Sequence, residues 1–159
     1  MIPLSQQLAQ QFTGVHQTKD WVSATSLRHQ LSDVTWEEAN KKMGNHNSIA
    51  GLAFHLNYYV NGINRVLEGN PLDIRDQFSF NAPEITNEED WQTLLQKLEN
   101  DADRFSLLVS QKPQEYWEQP FANLNYGSNY HNINAMIQHI YYHLGQIVLL
   151  KKLIREGTA

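Results

Sequence analysis

Apolar residues recur along this chain at the helical period, and four stretches carry most of them. In the first, Leu4, Leu8, Phe12 and Val15 are spaced by four, four and three, which predicts a helix from about Leu4 to Val15. Trp21 and Val22 follow in a polar stretch, and Ser26 to Leu31 has room for a turn or two of helix. Thr35-Trp-Glu-Glu38 is a capping-box pattern, in which a hydroxyl and a carboxylate each take one unpaired first-turn amide; it predicts a short helix ending near Lys42. Gly44-Asn45-His46-Asn47 then breaks the chain. Ser48 caps a second long helix running to Glu68, with Gly69 and Pro71 beyond it. Its stripe is Ile49, Leu52, Ala53, Leu56, Val60, Ile63 and Leu67.

Asn70 to Ile85 is a link of weak pattern, long enough to travel the length of a bundle. The second and third long helices are therefore expected to run in the same direction, with Phe78, Phe80 and Pro83 pinning the link to the surface. Thr86 and Asn87 can cap the third helix, whose first turn carries Glu88, Glu89 and Asp90 where the helix dipole favours negative charge. Trp91, Leu94, Leu95, Leu98, Ala102, Phe105, Leu108 and Val109 form its stripe; its acids are read as lying off that stripe, on a solvated outer face. Lys112-Pro113 ends it. The aromatic-rich connection Gln114 to His131, broken at Asn125-Tyr-Gly127-Ser, either rims a pocket or caps the end of the bundle. The fourth helix is predicted over Asn132 to Glu156, capped by Asn132 and closed by Gly157.

The bulk properties narrow the function. At 159 residues, with no internal repeat or linker, the chain reads as one all-α domain spanning 1–159. Twelve basic residues against seventeen acidic ones give a net charge of −5, and no Lys/Arg cluster marks a face for nucleic acid. The first residues lack a basic segment followed by an apolar run, so no signal peptide is expected, and no apolar stretch approaches the ~20 residues that span a bilayer. The absence of cysteine removes disulfides and thiolate chemistry, fits a cytoplasmic location, and leaves His, Asp and Glu as metal ligands.

Candidate chemistry sits on the fourth helix. His139 and His143 are four residues apart and share a face that borders the apolar stripe, the spacing by which one helix offers two imidazoles to a metal. His55 flanks the stripe of the second helix, giving three inward imidazoles on two helices. The alternative is three hydrogen-bonded core histidines. His16, His29, His46 and His131 lie in or near loops and are expected to be solvated, with His131 able to approach the fourth helix. Three ligands leave a coordination position open, for water in hydrolysis or for an external thiol. No His-Glu-x-x-His is present and no carboxylate lies beside the histidines on their face, which weakens hydrolysis unless Asp73, Asp76 or Glu115 comes in from a loop. Tyr59 and Gln146 could orient a ligand or substrate, or simply fill polar corners.

The segment Asn47-Ser-Ile-Ala-Gly-Leu-Ala-Phe-His55-Leu and the segment His139-Ile-Tyr-Tyr-His143-Leu-Gly-Gln-Ile147 resemble the two histidine motifs of the DinB/YfiT-like metalloenzymes; Leu31-Ser-Asp-Val-Thr-Trp-Glu-Glu38 resembles their intervening connection. The resemblance implies a four-helix bundle of up-down-down-up connectivity with long crossover loops. It also implies a divalent ion, zinc or nickel, on His55, His139 and His143, and a homodimer. Relatives of that kind include S-transferases that use small thiols such as bacillithiol, so a small thiol and an electrophile become the expected substrates. A metal-dependent small-molecule hydrolase, and a non-catalytic metal-binding or dimerisation module, are the alternatives.

Overall fold

The computed structural model describes residues 2–20 and 24–157. Among them every regular element is helical, apart from one isolated bridge between Pro120 and Ser128, so the expected all-α class is what is found. Four long helices carry the fold: α1 (Leu4–Thr13), α4 (Ile49–Leu67), α5 (Glu88–Ser110) and α6 (Asn129–Glu156). Two short ones, α2 (Leu27–Leu31) and α3 (Trp36–Asn40), lie between α1 and α4. Trp21 and Val22 lie outside the described residues. No described helix is long and apolar enough to cross a membrane.

Every α-helix start but that of α1, which follows Pro3 without a side-chain cap, is set by a side chain that takes an orphan first-turn amide. Ser26 accepts from His29 N–H, Ser48 from Gly51 N–H and Asn87 from Asp90 N–H. Thr35 and Glu38 close the expected capping box at α3, which ends at Asn40 rather than near Lys42. Two ends differ more from expectation. The sixth helix begins at Asn129, capped by Ser128, and Asn132 lies inside it with its amide bonded to the carbonyls of Tyr126 and Ser128. The first helix does not stop at Val15; it widens into a π turn, Gly14–Thr18, that ends where Lys19 takes a left-handed φ of 65°.

The apolar stripes of α1, α4, α5 and α6 meet in one contiguous core, with Phe12, Leu56, Trp91, Phe105, Ile140 and Ile147 buried. Each such side chain contributes about 1.5–3 kcal/mol of transfer free energy. Contacts along α4 and α5 and just past their C-terminal ends advance together: Asn57 bonds Asp101, Glu68 pairs with Arg104, and the Leu67 carbonyl accepts from Lys112. Those between α1 and α5 run the opposite way, Thr13 meeting Ser106 while Gln17 meets Glu99 and Asp103. Trp117 and Phe121 of the aromatic-rich connection are buried, whereas Tyr126 and Tyr130 are exposed.

Two departures concern polar groups. Asp101 of α5 is not on a solvated face: it is buried, and its carboxylate accepts from Asn57, Asn61 and Lys97. His16 is not solvated either; it sits in the π turn, 2 % exposed, and stacks on Phe12 with ring centroids 5.3 Å apart.

The link from α4 to α5 folds back on α4. Gly62 makes that possible, because a Cβ there would lie 2.5 Å from Cγ1 of Ile74. Beyond Ile74, Tyr58 O–H donates to the Arg75 carbonyl and receives the Arg75 N–H. A 3-10 turn, Asp76–Phe78, then carries the chain across the flank of α4 that holds His55.

Candidate metal centre

Three helical positions aim three imidazoles at one point. On α4, Leu52 and Leu56 are buried in the core and His55 sits between them at the edge of their stripe. On α6, one turn separates His139 from His143, so the two rings stack along one face. Nε2 of His139 lies 3.1 Å from Nε2 of His55 and 2.8 Å from Nε2 of His143. One ligand atom from each ring falls within 4.8 Å of the others. His55 and His143 are buried and His139 is half-buried.

This arrangement fits an ion. Donors bound tetrahedrally at 2.0–2.1 Å stand about 3.3 Å apart, a few tenths of an ångström more than the two shorter separations. Small ring rotations would open that space. Metal ligation also requires neutral imidazole with a free Nε2 lone pair. Burial drives the His55 pKa down to about 4, with the charge of His143 adding to the effect and the Ser79 backbone and Asp76 opposing it. Burial, then the charges of His143 and His55, take His139 down to about 4. Burial also lowers His143, against a hydrogen bond to Gln146.

Neighbouring groups fix the rings. His143 Nδ1 is 2.7 Å from Gln146 Oε1, so Nδ1–H donates there and the lone pair stays on Nε2. Tyr59 stands edge-on to His55 and His139, with centroids 5.0 and 5.3 Å away. Its hydroxyl donates to Asp76 Oδ1 at 2.7 Å. Burial, then the bond to Asp76, push the Tyr59 pKa up to about 12, so the hydroxyl keeps its proton. Phe80 stacks flat on His55 at 4.1 Å and 13°, and Tyr142 meets His143 edge-on at 4.8 Å. His55 Nδ1 faces the Ser79 backbone without closing a well-formed hydrogen bond to it.

Other residues weighed from the sequence fall elsewhere. His29, His46 and His131 are exposed, and none joins the cluster. Asp73 pairs with Arg75 at 3.6 Å, and Glu115 is exposed in a short 3-10 turn. Of the three loop carboxylates only Asp76 touches the site, through Tyr59. The covering role of residues 75–80 was missed: Phe80 reads as a surface anchor in sequence, and a ring stacking across a loop leaves no periodic signal. A hollow of about 640 Å³ between α1 and α5 touches none of the three rings. A second, about 330 Å³, is lined by Leu52, Leu150, Leu153 and Gln146 and lies beside the centre.

The family model described as DinB superfamily matches residues 22–147, well over half of the 159-residue chain. No curated protein and no solved structure matches it.

Proposed function

The chain belongs to the DinB superfamily, and from that premise we propose a divalent-metal-dependent enzyme that activates a small thiol for transfer to an electrophile. In this reading His55, His139 and His143 hold the ion. The observation that carries it is the convergence of three Nε2 atoms with no carboxylate among the described residues joining them as a fourth ligand. An ion bound there, zinc or nickel, supplies a positive charge that lowers the pKa of a thiol entering its open position.

The chain's own residues do the rest. Gln146 holds His143 in the ligating tautomer, Tyr59 braces His55 and His139, and Phe80 shields one face of His55 from water. The test is metal analysis of protein purified without a polyhistidine tag. About one equivalent is expected in the wild type and none in His139→Ala. Undiminished metal in that variant, or none in the wild type, would remove the proposal; the latter result would favour a non-catalytic module.

A metal-dependent hydrolase is the second reading, and Asp76 is the observation that favours it. Its carboxylate reaches the site through the Tyr59 hydroxyl and could take a proton from water. Ester hydrolysis by the loaded enzyme that falls at least 100-fold in Asp76→Asn, with no thiol transfer in either protein, would replace the first reading.

We further propose that residues 1–159 act as one domain, in the cytoplasm, as a homodimer. Tyr142 and Leu149, both exposed and seven residues apart on α6, support a dimer face there. Light scattering should return twice the 18.4 kDa chain mass.

A further inference from the structure

Resting on the thiol reading, the charge of that thiol can be argued from the rim of the centre. Asp76 reaches the centre through Tyr59: it accepts the hydroxyl whose ring stands edge-on to His55 and His139, and its charge opposes the lowering of the His55 pKa. Its Oδ1 is held by Tyr59, and it forms no ion pair among the described residues. The neighbouring cation in sequence, Arg75, faces Asp73 instead. The carboxylate anchors the hydroxyl of Tyr59, and Phe80, four residues further along the same link, lies on His55. A carboxylate without an ion pair, set beside an aromatic ring, attracts an organic cation and repels an anionic group.

We infer that the site selects small thiols carrying a positively charged nitrogen a few bonds from sulfur, and that Asp76 receives that charge. With an ion held by His55, His139 and His143, the sulfur would bind there and the cationic end would turn toward Asp76. Asp76 thereby discriminates among thiols by charge while leaving metal retention to the histidines.

A series of two-carbon thiols tests this: thiocholine, 2-mercaptoethanol and 2-mercaptoethanesulfonate differ in charge and share a spacer. None of their charged groups chelates through nitrogen. Each is titrated into the full-length, cobalt(II)-loaded protein and followed by the sulfur-to-cobalt charge-transfer band. Thiocholine is expected to bind about fivefold tighter than mercaptoethanol, the sulfonate to bind weakest, and the order to collapse in Asp76→Asn. Retention of the visible cobalt spectrum in Asp76→Asn shows that the centre is intact. Equal affinities, or an order that survives in Asp76→Asn, would overturn the charge selection and leave the thiol reading standing. No band with any of the three thiols removes both.

Discussion

The Nδ1–H of His143 points into Gln146 Oε1 over 2.7 Å, one turn further along the same helix. The bond does two things at once: it sets which nitrogen of His143 carries the proton, and it fixes the ring plane. Gln146→Leu removes the acceptor and leaves Nδ1–H half-buried and unpaired. Metal affinity should fall about 10- to 100-fold, read by competition with a chelator. Gln146→Glu, which keeps an acceptor, should retain most of it. Equal affinities in the wild type and Gln146→Leu would show that this bond does not tune the ligand.

The strap over His55 depends on the absence of a side chain at residue 62. Gly62→Ala sets a methyl 2.5 Å from Ile74 Cγ1, so the Ile74 side chain must shift and its hold on the link weakens. Alanine gains about 1 kcal/mol of helix propensity over glycine, and the overlap costs about 1–3 kcal/mol, so a small net loss of stability is expected. The sharper readout is hydrogen exchange of the backbone amides of residues 74–80, which should speed up as the link loosens. Shortening the clashing residue in Gly62→Ala/Ile74→Ala should restore protection. Unchanged protection in the single variant would show that the link yields at no cost.

Much of the fold was legible because periodicity reports which face is buried. The stripes of α4 and α5, the Ser48 cap and the Thr35 capping box all read directly from residue types at fixed spacings. The three imidazoles were legible because each borders an apolar stripe. Two further signals are in the sequence. Leu94, Leu98, Asp101 and Phe105 keep the helical spacing, so Asp101 lies on the buried stripe although its charge reads as surface. Phe12 and His16 are one turn apart, but a π turn there could not be foreseen from period alone. What lay beyond reach was the strap: Asp76, Ser79 and Phe80 meet α4 through an irregular link, placed by Ile74 on Gly62 and by the hydroxyls of Tyr58 and Tyr59, contacts that leave no periodic signal.

Asp101 joins α4 to α5 through donors on both. Its carboxylate takes Asn57 and Asn61 at 3.1 Å each and Lys97 at 2.7 Å, while its backbone carbonyl takes Asn64 at 2.8 Å. Asp101→Ala strands buried amide donors and should cost about 3 kcal/mol, measured by urea unfolding. Asp101→Asn keeps an acceptor of nearly the same shape and should cost about 1 kcal/mol. Similar losses in the two variants would mean that charge rather than hydrogen-bond count holds the junction.

His16 makes a prediction about acid stability. Burial takes its pKa down to about 4; Arg28 pushes the same way, and Glu99 and Asp103 oppose. Its Nδ1 finds no partner among the described residues beyond its own backbone. The folded protein therefore holds His16 neutral, whereas the unfolded chain binds a proton below about pH 6.5. Stability from this group is complete above pH 6.5, is lost as pH falls toward 4, and changes no further below that. The loss approaches about 3 kcal/mol over the window. His55 and His139 titrate over the same range, so the informative quantity is the difference between the wild type and His16→Leu. His16→Leu removes a buried, unpaired nitrogen and should be at least as stable as the wild type at pH 5, with a flatter pH dependence between 6.5 and 4. Parallel curves for the two proteins, from urea unfolding at half-unit steps, would mean that the π turn opens to admit the proton.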